Sequence, residues 1–315
     1  MKRVVLVVVL VIGLDQSIGF LLNRLYLHTT SGDNGGIING VLRRNTDVLV
    51  LGSSRARHHV IPVILRERLS ASVFNAGIDG HGFLYAVMLL DLWTRSHAPP
   101  KAILLHVDPT SLSYSEEELA KAHIFSAYFS ESERVRNILL MRGKYEWLKY
   151  LSYSYRFNGK VLPTLKNLAV PPDDAFDGYI GLQGSLESGS IPAAHPAETS
   201  NGDSALFWDL KLSYLADLAR YCKTNGTRLI LFHSPSVGED PAALVGWAER
   251  LTSLGLSYEG LEFLDLAAPT RQLFEGRPAL FKDGTHLNSR GAEIFSTLLA
   301  DEVASRLGSE AAKSP

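Results

Sequence analysis

Five short, nearly unbroken apolar runs punctuate the chain: Asp47–Leu51, Ser72–Asn75, Ala102–Val107, Thr227–Phe232 and Leu261–Leu266. Runs of this length, apolar at odd and even positions alike, read as strands buried on both faces. Segments with helical spacing separate them. Pro62–Leu69 carries proline in its first turn, where the missing N–H costs nothing. Phe83–Trp93 is a short apolar helix, and Ala205–Lys223 a long amphipathic one closed by Asn225-Gly226. Pro241–Leu254 and Gly291–Leu307 complete the set. Strands alternating with helices predict a parallel sheet covered on both sides, with its sites at the C-terminal strand ends.

Two stretches stand outside this alternation. Residues 110–205 show no strand pattern; Glu116–Lys121 and Ser132–Leu151 look helical, and Gly159–Asp203 reads as loop. An insertion this long in an α/β domain is expected to act as a lid or substrate segment. Tyr145, Trp147, Tyr150, Tyr153, Tyr155 and Phe157 crowd its centre, as a satellite core or as the lining of a sugar or acyl site. The other stretch is the N-terminus, where Lys2 and Arg3 precede an apolar run from Val4 to Leu14. Asp15-Gln16-Ser17 interrupts it and Ile18–Leu22 resumes it. That pattern predicts a signal peptide or signal anchor over residues 1–28, with its positive end inside the cell and residues 29–315 exported.

Composition narrows the classes. The chain has 315 residues, 46% hydrophobic and 20% charged, with a formal net charge of −2. This excludes a disordered chain and a multi-span membrane protein, and the absent basic excess argues against a nucleic-acid partner. The single cysteine, Cys222, forms no intramolecular disulfide and no cysteine-rich metal site, and it reads as a small buried hydrophobe. No metal or cofactor site is expected.

Three short stretches carry chemistry. Gly52-Ser53-Ser54-Arg55 follows the first strand and opens a helix, where a serine is accessible and backbone amides are unpaired. Asn75-Ala76-Gly77 follows the second strand, and a glycine there lets its amide approach a ligand closely. Asp283-Gly-Thr-His286 precedes the last helix, so that one turn brings carboxylate and imidazole together. Taken singly, each is an N-cap, a turn and a loop hydrogen bond.

In this order the three stretches resemble the SGNH (GDSL-like) hydrolase superfamily over about Asp47–Pro109 and Thr227–Leu307. The resemblance implies a flavodoxin-like three-layer sandwich around a parallel sheet of about five strands, with the insertion after the third. It maps the nucleophile to Ser54, with Ser53 replacing the family's aspartate. It places the closing pair on Asp283 and His286, and oxyanion donors on the Ser54 and Gly77 amides. Where the family has Gly-x-Asn-Asp after the third strand, this chain has Leu105-His106-Val107-Asp108-Pro109. The oxyanion hole then uses two amides alone or a further donor such as Asn75 or His106. Arg55, Arg57, His58 and His59 follow the serine closely, as contacts for an anionic substrate or as a solvated helix start, and His106, Asp108, Asn158 and Asp177-Gly-Tyr179 are further candidate substrate contacts.

The anchor and the Gly-Ser-Ser-Arg block resemble the envelope branch of the superfamily, which includes polysaccharide O-acetylation and D-alanine-transfer proteins. That implies an outward-facing, membrane-anchored esterase or O-acyltransferase of the bacterial-type envelope. It would act on an acyl-ester or glycan substrate, beside a membrane acyl-transfer partner. A non-catalytic scaffold binding polysaccharide or an assembly partner is the alternative. A cytosolic phosphate-binding domain is a third reading, but Gly52-Ser-Ser-Arg lacks the glycine spacing of phosphate loops.

Overall fold

The computed structural model describes residues 1–30, 35–169, 176–186, 203–237, 241–257, 261–264 and 266–311. The chain divides into two compact units.

The first unit comprises residues 45–87, 98–114 and 176–315 and holds the sheet. Its strands are β1 (Val48–Leu51), β2 (Val73–Asn75), β3 (Ala102–His106), β4 (Arg228–Phe232) and β5 (Leu261–Leu264). They lie in the order β2-β1-β3-β4-β5, all parallel, so the protein is an α/β fold around a five-stranded parallel sheet. Each predicted strand is present, trimmed at its ends. Alternate residues serve opposite faces. Val48, Val50, Leu104, Ile230 and Phe232 join one core with Phe295, Leu299 and Val303 of the helix Ser289–Ala311, which also packs on Pro62–Leu69. Leu49, Leu51, Ile103, Leu105, Leu229 and Leu231 point the other way and are equally buried. The helix Asp203–Thr224 packs on β4, and Pro241–Ser257 on β5. Cys222 is buried as expected, and burial pushes its thiol up to about 12, so it is an inert apolar filler. Gly226, with φ of 67°, supplies the left-handed residue that ends the Asp203–Thr224 helix.

The second unit comprises residues 1–44, 88–97 and 115–175. One continuous helix, Lys2–His28, begins it and is long and apolar enough to cross a membrane. Its first half makes almost no protein contacts, and Val4–Leu14 are exposed. From Asp15 onward it packs on residues 152–165. The Asp15 carboxylate accepts hydrogen bonds from the Ser152 hydroxyl (2.6 Å), the Ser154 hydroxyl and the Tyr153 N–H (2.7 Å). Gly19 faces Tyr153 so closely that an added Cβ would lie 2.6 Å from the Tyr153 Cβ and Cγ. Tyr26 is fully buried between Tyr128 and Phe157, and its hydroxyl donates to the Ile124 carbonyl.

Two expectations in this region need correction. Ser132–Leu151 is not one helix but two, Glu133–Leu140 and Glu146–Lys149, because the turn around Gly143 interrupts it. Gly159–Asp203 is not all loop: Val161–Ala169 is a helix, with Pro163 in its first turn. The stretches 170–175 and 187–202 of that predicted loop lie outside the described residues. The aromatic crowd divides. Tyr150 and Phe157 are buried in the satellite core, whereas Tyr145 and Trp147 are exposed.

Candidate active site

The site lies wholly within the sheet unit, at the C-terminal ends of β1, β2, β3 and β4. After Leu51 the chain turns at Gly52, with φ of 144°, where a side chain would strike the His106 Cβ at 2.7 Å. Only glycine fits. Ser53 then N-caps the short helix Ser54–His59, accepting from the Arg55 N–H. Ser54 is thereby presented, half-buried, at the helix start.

His286 reaches Ser54 from the loop before the last helix: its Nε2 lies 2.8 Å from the Ser54 Oγ. Its Nδ1 lies 3.0 Å from both oxygens of Asp283. Asp283 Oδ1 also accepts the backbone N–H groups of Thr285 and His286, each at 2.9 Å. Partial burial raises the Asp283 pKa. The hydrogen bonds from the Thr285 backbone and the His286 ring outweigh that effect, so the carboxyl sits below its ordinary range. Ser54, His286 and Asp283 thus form one hydrogen-bonded chain ending in a carboxylate.

The other residues singled out in the sequence are placed as follows. The Ser54 N–H has no acceptor among the described residues. The Gly77 N–H donates to the Asn75 Oδ1 at 2.9 Å. Gly77 packs against the helix start, where an added Cβ would lie 2.6 Å from the Arg57 nitrogen. Asn75 is fully buried, and its Nδ2 donates to the carbonyls of Ala56 (2.7 Å) and Val60 (2.8 Å). Its side chain is therefore committed to tying the end of β2 to the Ser54 helix rather than turned toward a ligand. Arg55 donates to the Ser234 carbonyl and reaches His233 Nε2 at 3.4 Å, which directs it along the strand ends. Asp108 accepts from the Thr110 N–H (3.0 Å) and hydroxyl (2.8 Å). Burial raises its pKa, but the charges of Arg55 and His106 carry it below the ordinary value.

His106 does not face open space. It is buried and joins a chain of polar groups beneath the site. The Leu287 N–H donates to His59 Nε2 at 2.9 Å, so the His59 proton sits on Nδ1. Nδ1 then donates to the Ser234 Oγ at 2.8 Å, and the Ser234 hydroxyl donates to His106 Nε2 at 3.1 Å. His59 is fully buried; burial first, and the Arg55 charge second, hold its pKa well below the ordinary histidine value. Neutral His59 thus anchors the backbone next to His286. His59, one of the basic residues after Ser54 read from the sequence as contacts for an anionic substrate, is instead a buried scaffold residue, and Ser234 was not anticipated. Ser234 had a signal, since it follows β4 at the strand-end edge, but nothing in chain order pairs it with His59.

Asp177-Gly178-Tyr179 belong to the segment 176–186, which returns from the insertion to the sheet unit. The Asp177 carbonyl accepts from the Asn75 N–H at 2.9 Å, and its carboxylate pairs with Arg66 at 3.1 Å. Gly178, with φ of 93°, lies where an added Cβ would fall 1.6 Å from the Asn75 carbonyl oxygen. The Ile180 carbonyl lies 2.7 Å from His58 Nδ1, while His58 Nε2 faces Asp79 at 3.1 Å. Farther on, Leu182 and Gly184 carbonyls accept from Ser289 and Asn288, which fix the start of the last helix. This strap therefore ties both sides of the site to one segment. His58 serves in that scaffold, edge-on to His286 with ring centroids 5.6 Å apart. Among the described residues no group of three or more histidine, cysteine or carboxylate side chains is placed to hold a metal ion.

No family model matches the chain, and no curated protein matches it. Among solved structures it is similar to one described as a candidate platelet activating factor from Streptococcus pneumonia, with 14% identity and a TM-score of 0.41 over 95% of this chain and 98% of that one. It is similar to a candidate acylhydrolase from Bacteroides fragilis, with 13% identity and a TM-score of 0.38 over 82% and 87% of the two chains. It is also similar to an acetyl-xylooligosaccharide esterase from Geobacillus Stearmophilus, with 14% identity and a TM-score of 0.40 over 84% and 94%. At such identities the chemistry has to be read from this chain's own residues.

Proposed function

We propose that this protein is a serine-dependent acyl-ester hydrolase or O-acyltransferase of the SGNH type. Its nucleophile is Ser54, its general base His286, and its orienting carboxylate Asp283. The observation that carries this reading is the 2.8 Å contact between His286 Nε2 and Ser54 Oγ, backed by the ionised Asp283 at the far ring nitrogen. An anionic Asp283 holds the Nδ1–H tautomer and stabilises the imidazolium that forms when Nε2 takes the serine proton. Ser54 Oγ then bonds to the ester carbonyl carbon, and the oxyanion is met by the free Ser54 N–H. The leaving alkoxide takes the proton from Nε2 as its C–O bond breaks, leaving acyl-Ser54. Water or a sugar hydroxyl then attacks the acyl group, giving up its proton to His286 and restoring the serine. Water yields the free acid; a sugar hydroxyl yields a new ester.

The Lys2–His28 helix supports membrane anchoring; we further propose that the protein is exported, that its substrate is an envelope polysaccharide or glycan, and that it works beside a membrane acyl-transfer partner. One observation favours the second reading, a non-catalytic scaffold. The Gly77 N–H is occupied by Asn75, leaving the Ser54 N–H as the one oxyanion donor identified here. Loss of one donor costs about 10²–10³ in rate, which a slow enzyme survives and an inactive scaffold need not. Labelling the full chain in detergent with a fluorophosphonate, followed by peptide mass spectrometry, separates the two. An adduct on Ser54 that is lost in His286→Ala supports the acyl enzyme. A folded protein that takes no label refutes it.

A further inference from the structure

The Lys2–His28 helix is too short on its free side to serve as an anchor alone. At about 1.5 Å per residue, the exposed stretch from Lys2 to Leu14 spans roughly 20 Å. The hydrocarbon core of a bilayer is about 30 Å thick. The remaining 10 Å or so must come from the next turns, Asp15 to about Leu21. Those turns are not bare: Ser152, Tyr153 and Ser154 of the same compact unit pack along them. Whatever lies beside residues 15–21 is drawn to the same depth.

The chain on either side of that contact is apolar and exposed. Tyr145, Trp147, Leu148, Leu151, Leu162 and Leu165 are large and apolar, yet all are exposed; Trp147 is 55%, Leu151 68% and Leu162 78% accessible. They sit on the short helix Glu146–Lys149, the turn after it, and the helix Val161–Ala169, which packs against Lys2–His28. Tryptophan and tyrosine favour the boundary between headgroups and acyl chains, and lysine stems reach from there to water. Lys144, Lys149 and Lys166 flank these residues. The carboxylate on the helix is also provided for. Asp15 is held by two hydroxyls and the backbone N–H groups of Tyr153 and Ser154, so every contact it needs at that depth comes from protein. Ile18, Phe20 and Leu21 complete the apolar surface on the helix itself.

We propose that the segment from Tyr145 to Leu168 is a membrane-embedded foot. In this arrangement it lies in the interfacial layer of a lipid bilayer, beside the second half of the Lys2–His28 helix, and the two enter the membrane as one body. The proposal rests on the anchor reading of that helix. The foot differs from a flexible tether in one respect: it fixes this unit against the lipid surface, with Asp15 as the joint.

The test uses the full chain reconstituted into phosphatidylcholine–phosphatidylglycerol vesicles, with acyl chains brominated close to the headgroup. Trp147 is exposed, so Trp147→Phe does not threaten the fold, and the wild-type minus W147F difference isolates its emission. The expected result is that this difference emission falls about twofold or more in brominated vesicles compared with unbrominated ones. Two results would overturn the foot. If the chain floats with the vesicles but the Trp147 emission is unquenched, the segment lies in water while the anchor stands. If the chain does not float with vesicles, anchor and foot fail together. Unquenched emission that shifts with protein density in the membrane would assign the surface to a second copy, and would equally refute lipid contact.

Discussion

Replacing His59 with phenylalanine tests the idea that a neutral, buried imidazole holds the catalytic loop. The ring is fully buried, accepts from the Leu287 N–H and donates to Ser234. Burial and the Arg55 charge hold its pKa well below the ordinary 6.5. A depressed histidine pKa means that between the folded value and 6.5 the unfolded chain binds the proton and the folded chain does not. Stability from this group is therefore complete above about pH 7 and is lost as pH falls below 6.5. With an unfolded pKa near 6.5, lowering the pH from 7 to 5.5 costs at most about 1.3 kcal/mol from this residue alone. H59F removes that pH dependence. It also strands the Leu287 N–H, at about 1–3 kcal/mol, and takes away the donor to the Ser234 Oγ, whose hydroxyl still donates to His106, so the variant is less stable at every pH but flatter in pH. Urea unfolding of the full chain in detergent reads both effects through Trp247, which packs edge-on to His233 and Phe263 in the sheet unit. Carboxylates of depressed pKa do not interfere, because they titrate below this window. If wild type and H59F lose stability equally between pH 7 and 5.5, His59 is not the buried neutral group described.

Ser54→Ala and His286→Ala are expected to abolish ester hydrolysis by the full chain, and Asp283→Asn to lower kcat about 10²–10⁴-fold with little change in KM, measured with a chromogenic acetyl ester. Gly178→Ala forces a Cβ into the Asn75 carbonyl at a left-handed φ, so thermal unfolding is expected to show a loss of at least about 2 kcal/mol; an unchanged Tm would mean the strap does not sit on β2. Asp47 is held down to about 2 by hydrogen bonds from the Ser72 side chain and backbone and by Lys101. Its contribution is therefore present above pH 3.8 and lost as pH falls toward 2. Asp47→Asn is expected to remove that acid dependence and, because the group is partly solvated, to cost no more than about 1 kcal/mol at pH 7 in urea titrations.

The sheet was legible because a parallel strand buried on both faces leaves an apolar run that no other element mimics at that length. The three chemical blocks were legible for a related reason. Each follows a run or precedes the last helix, and a parallel sheet gathers such points at one edge. Local punctuation was less informative. Pro163 and the surrounding glycines and polar residues suggested loop, yet proline is harmless in a first turn and Val161–Ala169 is helical. The partners of Asn75, His59 and Ser234 were not readable at all. Asn75 appears in sequence as a polar residue free to meet a ligand. Only the folded chain shows its amide bridging two carbonyls across the site. Asp177-Gly178-Tyr179 stood out as a candidate contact, but the role of 176–186 as a strap was not readable, because its bonds are mainly backbone ones, which any sequence can make.

The serine and the histidine that meet at 2.8 Å are separated by 232 positions along the chain. At about 5–20 residues per second, a ribosome adds the histidine roughly 10–50 s after the serine. The apolar N-terminal helix is therefore available to a membrane long before any reactive serine exists. Chains that end between Ser54 and His286 carry the hydroxyl without its proposed base, so under the acyl-enzyme proposal reactivity is confined to chains extended past His286 and folded.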